Sequence, residues 1–189
     1  MSCPEEEHWS VLKGVIKYLS CTTHIGLVFG KDRGVVAYSD SDFAGDIQTR
    51  RSTTGYVVCV HGGPVAWKSR LQPTVAVSTF EAEYMAVGAA IREVVWLKRL
   101  LGEIGMDIGI VDVKVDNMST VHMLHNESAS ARTKHIDVQH HYSREKVQMK
   151  VVSVSHCPTS MMAADVLTKP LASPAFSKCL QLMGVMNVS

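Results

Sequence analysis

Acidic residues close several apolar stretches of this chain, and a carboxylate delivered by a strand end into a loop is one way to hold a metal ion. Val35-Val36-Ala37-Tyr38-Ser39 runs into Asp40-Ser41-Asp42, and Val111-Asp112-Val113-Lys114-Val115 runs into Asp116. Glu81 and Glu83 open a long helical stretch, and Asp165 lies on a late one. Asp40, Glu83, Asp116 and Asp165 are 43, 33 and 49 positions apart by subtraction, a separation that does not prevent them from meeting in the fold. Mg²⁺ takes oxygen ligands, keeps several waters and uses few carboxylates, so a substrate phosphate can complete its shell. Two such ions about 4 Å apart activate water and stabilise the leaving oxygen of an in-line displacement, which is phosphodiester hydrolysis. Taken singly, each acid reads more simply as a turn residue, a helix cap or a solvated side chain.

The elements that must position these acids follow from periodicity. Val35–Ser39, Gly55–Val60 and Pro64–Lys68, the last two separated by His61-Gly62-Gly63, read as three short antiparallel strands. Ser78-Thr79-Phe80-Glu81 has the capping-box pattern, which gives Glu81 a structural task at the start of a helix ended by Gly102 and Gly105. At about 100° per residue, Phe80, Tyr84, Val87, Ile91, Val94 and Val95 make the apolar stripe. Glu83 falls on its flank, and Glu81 falls on the polar side beside Arg92, Arg99 and Glu103. Periodicity therefore selects Glu83 as the carboxylate facing the sheet edge. Val111 to Asp116 alternates as a strand, and Asn117 or Ser119 is placed to cap a short helix running to about His125. A helix over about 133–150, a strand over 151–155 and a helix from about Thr159 that carries Asp165 and stops at Pro170 complete the order. Ahead of all these, Trp9, Leu12, Val15, Ile16 and Leu19 form an apolar helical stripe in search of a partner. Strands with interleaved helices predict an α/β domain with a mixed sheet and helices on its faces.

Several stretches together resemble the ribonuclease H domain of copia-type LTR retrotransposon Pol polyproteins. They are Tyr38-Ser39-Asp40-Ser41-Asp42-Phe43-Ala44-Gly45, Arg51-Ser52-Thr53-Thr54-Gly55-Tyr56, Ser78-Thr79-Phe80-Glu81-Ala82-Glu83-Tyr84-Met85-Ala86, Val115-Asp116-Asn117, Arg132-Thr133-Lys134-His135-Ile136-Asp137 and Ala164-Asp165-Val166-Leu167-Thr168-Lys169-Pro170-Leu171. The resemblance covers nearly the whole chain. It implies a ribonuclease H-like fold with a mixed five-stranded sheet, and Asp40, Glu83, Asp116 and Asp165 as catalytic and metal-binding residues. Two Mg²⁺ ions are implied, with Mn²⁺ as a substitute. The implied activity is endonucleolytic hydrolysis of the RNA strand of RNA/DNA hybrids during reverse transcription, leaving 5′-phosphate and 3′-hydroxyl ends. Residues 1–30 resemble the end of the reverse-transcriptase connection, 31–172 are expected to form the ribonuclease H-like domain, and 173–189 a C-terminal tail. The implied partners are the hybrid and the reverse-transcriptase domain of the same polyprotein, in a cytoplasmic virus-like particle or the nucleus.

The chain departs from the pattern at Ser160-Met161-Met162-Ala163, where glutamine and acidic residues are usual, and the resemblance implies a start in the middle of a polyprotein. Both departures suit a rival reading, a catalytically inactive, domesticated or decayed remnant that keeps the fold for nucleic-acid binding or packing. Asp42 is assigned an outer or turn-forming place, with Asp40 ranked first. His156 sits where cellular ribonucleases H carry a histidine thought to help product release, and a loop histidine without function is the simpler reading. His140 and His141 are adjacent and point to different helix faces, so with His135 they make no zinc site.

Composition narrows the remaining classes. A length of 189 residues with 46% hydrophobic content supports one domain with its own core. The formal charge of +1 excludes a strongly basic nucleic-acid binder, so any grip on phosphates is local. Lys68-Ser69-Arg70, Arg132-Thr133-Lys134 and Arg144-Glu145-Lys146 are the candidates for it, against a plain solvated charged face. Five scattered cysteines without a Cys-x-x-Cys pair argue against a zinc knuckle or a disulfide framework. No membrane-spanning run or signal peptide is expected, and no Gly-x-Gly-x-x-Gly or Walker pattern supports a nucleotide-binding domain.

Overall fold

Apolar side chains occupy both faces of the central strands, so the sheet they build has to be covered on both sides. Ala37 pairs with Val58 and faces one layer, whereas Val36 and Tyr38, paired with Cys59 and Val57, face the other. The computed structural model describes residues 4–30, 34–126 and 137–188, and of 137–140 the backbone alone. Helix α1 (Glu6–Cys21) and strand β1 (Ile25–Leu27) precede β2 (Val35–Asp42), β3 (Thr53–Val60) and β4 (Gly63–Leu71). Then come α2 (Thr79–Glu103), β5 (Val111–Val115), α3 (Met118–His125), α4 (Asp137–Gln148) and β6 (Val152–His156). Two 3₁₀ turns (Thr159–Met161 and Ala163–Leu167), α5 (Ser173–Leu182) and β7 (Val185–Asn187) end the described chain.

The main sheet has five strands in the order β4-β3-β2-β5-β6, antiparallel on the β2–β3–β4 side and parallel from β2 through β5 to β6. This is the mixed five-stranded sheet expected. Helix α2 covers one face, burying Tyr84, Val87, Ala90, Ile91, Val94 and Leu97 against Tyr56, Val58, Val113 and Val115. On the other face, Val57 and Cys59 pack with Ala163 and Met183, and Val166, Leu167 and Leu180 close over them.

The segment 159–167 differs from expectation. It forms two 3₁₀ turns where one helix was predicted. Pro158 sets the entry. Met162, in an extended conformation between the turns, puts Met162, Ala163 and Ala164 all into the core. Short 3₁₀ pieces bring consecutive apolar residues down onto the sheet, which a regular helix would spread around its circumference. Gly55 makes this approach feasible. A Cβ there would lie 2.6 Å from Thr168 Cγ2 and 3.0 Å from Leu167 Cβ. The helix predicted over 133–150 is described from Asp137, and Arg132, Lys134 and His135 lie outside the described residues.

A second, two-stranded sheet joins the two ends of the described chain. β1 and β7 are antiparallel, with Ile25 opposite Asn187 and Leu27 opposite Val185. Tyr18 on α1 meets Phe176 on α5 edge-on, with ring centroids 6.3 Å apart. Helix α1 otherwise buries none of its residues, and Trp9, Leu12, Val15, Ile16 and Leu19 are all exposed. No helix among the described residues is long and apolar enough to cross a membrane. Cys21, Cys59, Cys157 and Cys179 are free thiols.

Candidate metal centre

Strand order decides which acids can meet. β2 and β5 are parallel neighbours, so Asp40 near the end of β2 and Asp116 just beyond β5 emerge at the same edge of the sheet. The N-terminal turn of α2 crosses that edge and delivers Glu83. One carboxylate oxygen of each of Asp40, Glu83 and Asp116 lies within 4.8 Å of the other two. Asp40 is 1% exposed and Glu83 6%, a degree of burial rare for acids unless they are paired or bind metal.

Ser41, on the α2 face of β2, fixes one side of Glu83. Its backbone N–H (3.1 Å) and its hydroxyl (2.8 Å) both donate to Oε1. Oε2 is buried with no hydrogen-bond partner. Burial pushes the Glu83 carboxyl up to about 8, and the charges of Asp40 and Asp116 add to that against the opposing pull of Ser41. Burial and Asp40 likewise raise Asp116, opposed by Thr159, whose hydroxyl donates to Oδ2 at 3.3 Å, and by Lys169 and His156. A buried carboxylate oxygen left bare among other acids suits a hard cation in place of a proton.

Asp165 is brought to the same end of the sheet but stands outside the group of three. It approaches Asp40 through the segment that follows it. Thr168 Oγ1 donates to Asp40 Oδ2, and Lys169 Nζ lies 3.6 Å from that oxygen and 3.2 Å from Asp165 Oδ1. Burial, then the charge of Asp40, raises the Asp165 carboxyl to about 6, opposed by Lys169. Desolvation draws the Lys169 ammonium down, but Asp40 and Asp165 outweigh it and hold it above the ordinary lysine range. Thr168 and Lys169 belong to the stretch Ala164–Leu171 that carries the family resemblance, yet neither is assigned a place at the acids from the sequence alone. The signal available was their position three and four residues after Asp165.

Glu81 and Glu83, the two glutamates near the start of α2, are both buried. Ser78 Oγ accepts from the Glu81 backbone N–H as the capping pattern predicts, and the Glu81 side chain accepts from Val77 N at 2.7 Å. Glu81 is buried, not on the solvated side as its periodicity predicted. The link ahead of the helix folds over its first turn, where Gln72 binds the carbonyl of Ala82 at 2.9 Å. Asp42 ends β2 opposite Thr53 and packs its carboxylate where a Cβ on Gly45 would stand, so it shapes the turn. His156 ends β6 and is exposed, in register with Val115. Arg144 is buried and donates to the carbonyl of Asn126 at 2.7 Å, and Lys146 pairs with Glu145 at 2.7 Å. Arg144 is thus a structural residue rather than a phosphate contact. Lys68 and Arg70 on β4 remain exposed, and with Thr54, Gln72 and Arg92 they line a recess of about 170 Å³.

No family model matches the chain. It is 41% identical over 183 residues, 96% of its length, to the retrovirus-related Pol polyprotein from transposon TNT 1-94 of Nicotiana tabacum. It is 36% identical, over the whole of its length, to that from transposon RE2 of Arabidopsis thaliana. The chain spans 14% and 13% of the lengths of these relatives. Among solved structures, LC11-RNase H1 in complex with an RNA/DNA hybrid superposes with a TM-score of 0.52 at 16% identity, covering 71% of this chain and 93% of that one. That likeness concerns the fold, and it agrees with the strand order β4-β3-β2-β5-β6. With relatives aligned along its whole length and a ribonuclease H-like fold beneath them, the chain belongs to the copia-type retrovirus-related Pol polyproteins, in a part that has the ribonuclease H fold.

Proposed function

We propose that this chain is a divalent-metal-dependent endoribonuclease that hydrolyses the RNA strand of RNA/DNA hybrids during retrotransposon reverse transcription. The observation that carries this reading is the convergence of Asp40, Glu83 and Asp116 with the bare, buried Oε2 of Glu83. The donor set is all oxygen and fits Mg²⁺, or Mn²⁺ in its place. A divalent ion, when bound, supplies Lewis acidity to the scissile phosphate and lowers the cost of forming the attacking hydroxide.

The protein's own part is to hold charge in place. Ser41 orients Glu83 so that Oε2 points away from its hydrogen bonds, Thr168 fixes Oδ2 of Asp40, and Thr159 restrains Asp116. Asp165 is the fourth acid of the proposed catalytic set, at the edge of the group. A hybrid duplex is read by shape, phosphates and 2′-hydroxyls, and the recess at Lys68, Arg70 and Arg92 is the proposed phosphate contact. The exposed stripe of α1, within the proposed connection segment 1–30, is assigned to the reverse-transcriptase domain of the same polyprotein. The proposed nuclease domain is 31–172, followed by the tail 173–189.

Asp116→Asn tests the reading, because it keeps the side-chain shape and removes the negative charge. Cleavage of a labelled hybrid with Mg²⁺ should fall by more than the roughly 10–100-fold typical of losing an outer-shell partner, with hybrid binding unchanged or slightly tighter. Mg²⁺ should raise the Tm of the parent more than that of the variant. A parent that neither cleaves nor gains stability from Mg²⁺ would replace this reading with that of a non-catalytic remnant.

A further inference from the structure

The two sides of the acid cluster are not equivalent. Each side has a buried carboxylate oxygen without a hydrogen-bond partner, Glu83 Oε2 on one and Asp165 Oδ1 on the other. On the side of Asp165 a cation is already present, the Lys169 ammonium, 3.2 Å from Asp165 Oδ1 and 3.6 Å from Asp40 Oδ2. Its position is set by the backbone. The N–H groups of Thr168 and Lys169 both bond the carbonyl of Asp165 at 3.2 Å, closing one turn that places residues 165 and 169 on the same side. Pro170 follows at once, and the side chain of Lys169 is only one-third exposed. Thr168 anchors the same turn to Asp40. The ammonium is therefore held against the two carboxylates by a closed turn rather than swinging from a loose loop.

We propose that Lys169 is the resident cation of the Asp40–Asp165 side, so that the free protein takes one divalent ion, at Asp40, Glu83 and Asp116, and a second enters only when the ammonium leaves. This inference rests on the reading of those three acids as metal ligands. A divalent ion placed between Asp40 and Asp165 would occupy the volume of Nζ or face its charge at contact distance, and repulsion at such range is large in a partly desolvated site. The two-ion set implied by resemblance is thereby reduced, in the absence of substrate, to one ion and one lysine. Lys169 is a positioning residue that sets how many ions the acids hold.

The test counts ions. The full chain is titrated with Mn²⁺ alone and the free ion is followed by electron paramagnetic resonance, for the parent, Lys169→Met, Lys169→Gln and Lys169→Arg. The expected result is one ion in the parent and in Lys169→Arg, and two in Lys169→Met and Lys169→Gln, with the second bound at least tenfold more tightly than by the parent. Two tight ions in the parent, or a single ion in both neutral variants, would overturn the inference while leaving the three-acid site standing. No bound ion in any of the four proteins would overturn both. The parent and the two neutral variants each count ions independently, so a substitution that disturbs the fold still leaves a deciding measurement.

Discussion

The acid cluster and helix α1 lie in different parts of the molecule, and each holds groups that the described chain does not satisfy. At the sheet edge the unmet groups are charges. Asp40, Glu83 and Asp116 crowd within 4.8 Å, and burial keeps water from screening Asp40 and Glu83. On α1 the unmet groups are apolar. Trp9, Leu12, Ile16 and Leu19 face outward from a helix with no buried residue. The first deficit calls for a small cation and the second for a surface. They also differ in what they do to the isolated domain: acids forced together oppose folding, whereas an exposed apolar stripe leaves the fold intact and exposes the protein to association.

Glu83→Gln should reduce the first deficit most. In the metal-free parent, the Glu83 carboxyl is raised from 4.5 to about 8, so its contribution to stability is fully present below pH 4.5 and is lost as pH rises through about 8. Asp165, raised to about 6, and Asp116 act in the same direction. Thermal melting without metal should therefore show Tm falling between about pH 4.5 and 8, with the upper part of that fall flattened in the variant. Mg²⁺ should restore the parent most at the alkaline end and the variant little. An unchanged pH profile in Glu83→Gln would break the contrast at its stronger side.

Glu81 sharpens the comparison within α2, since it lies two residues from Glu83 but serves the backbone. Glu81→Ala should cost about 1 kcal/mol in urea unfolding through the lost acceptor for Val77 N. Its Mg²⁺-induced gain in Tm should stay close to that of the parent. The smallest effect is expected on α1. Replacing Trp9, Leu12 and Ile16 together by Ser should change stability by no more than about 0.5 kcal/mol per site, the range of surface substitutions, while lowering self-association in sedimentation velocity. A loss of several kcal/mol would mean that this helix packs on its own domain.

Periodicity carried much of this in advance. Alternation located the strands, and the 100° rule put Glu83 at the sheet edge, because long elements repeat their pattern often enough to be read. It failed for Glu81, since a helical wheel assumes that the polar side meets solvent and takes no account of the link 72–78 folded across the first turn. The stretch 159–167 was misread because Met161, Met162 and Ala163 are as compatible with a helix as with two 3₁₀ turns, and only the sheet beneath them decides. Lys169 and Thr168 gave no local sign of their contacts with Asp40, 129 and 128 positions away by subtraction. The pairing of β1 with β7 was invisible for a related reason: three residues are too few to show a period.

That small pairing bears on the order of folding. Ile25 and Asn187 are 162 positions apart by subtraction, so their contact closes a loop that spans almost the whole described chain. Closing so long a loop is entropically expensive until the intervening sheet has collapsed and drawn the ends together. Gly184, at φ 74°, turns the chain into β7 where a Cβ would strike the carbonyl of Gly62, so the clasp packs directly against the β3–β4 turn. On loop-closure grounds, the orientation of α1 is expected among the last things the chain acquires, its apolar stripe taking a fixed direction after the five-stranded sheet behind it.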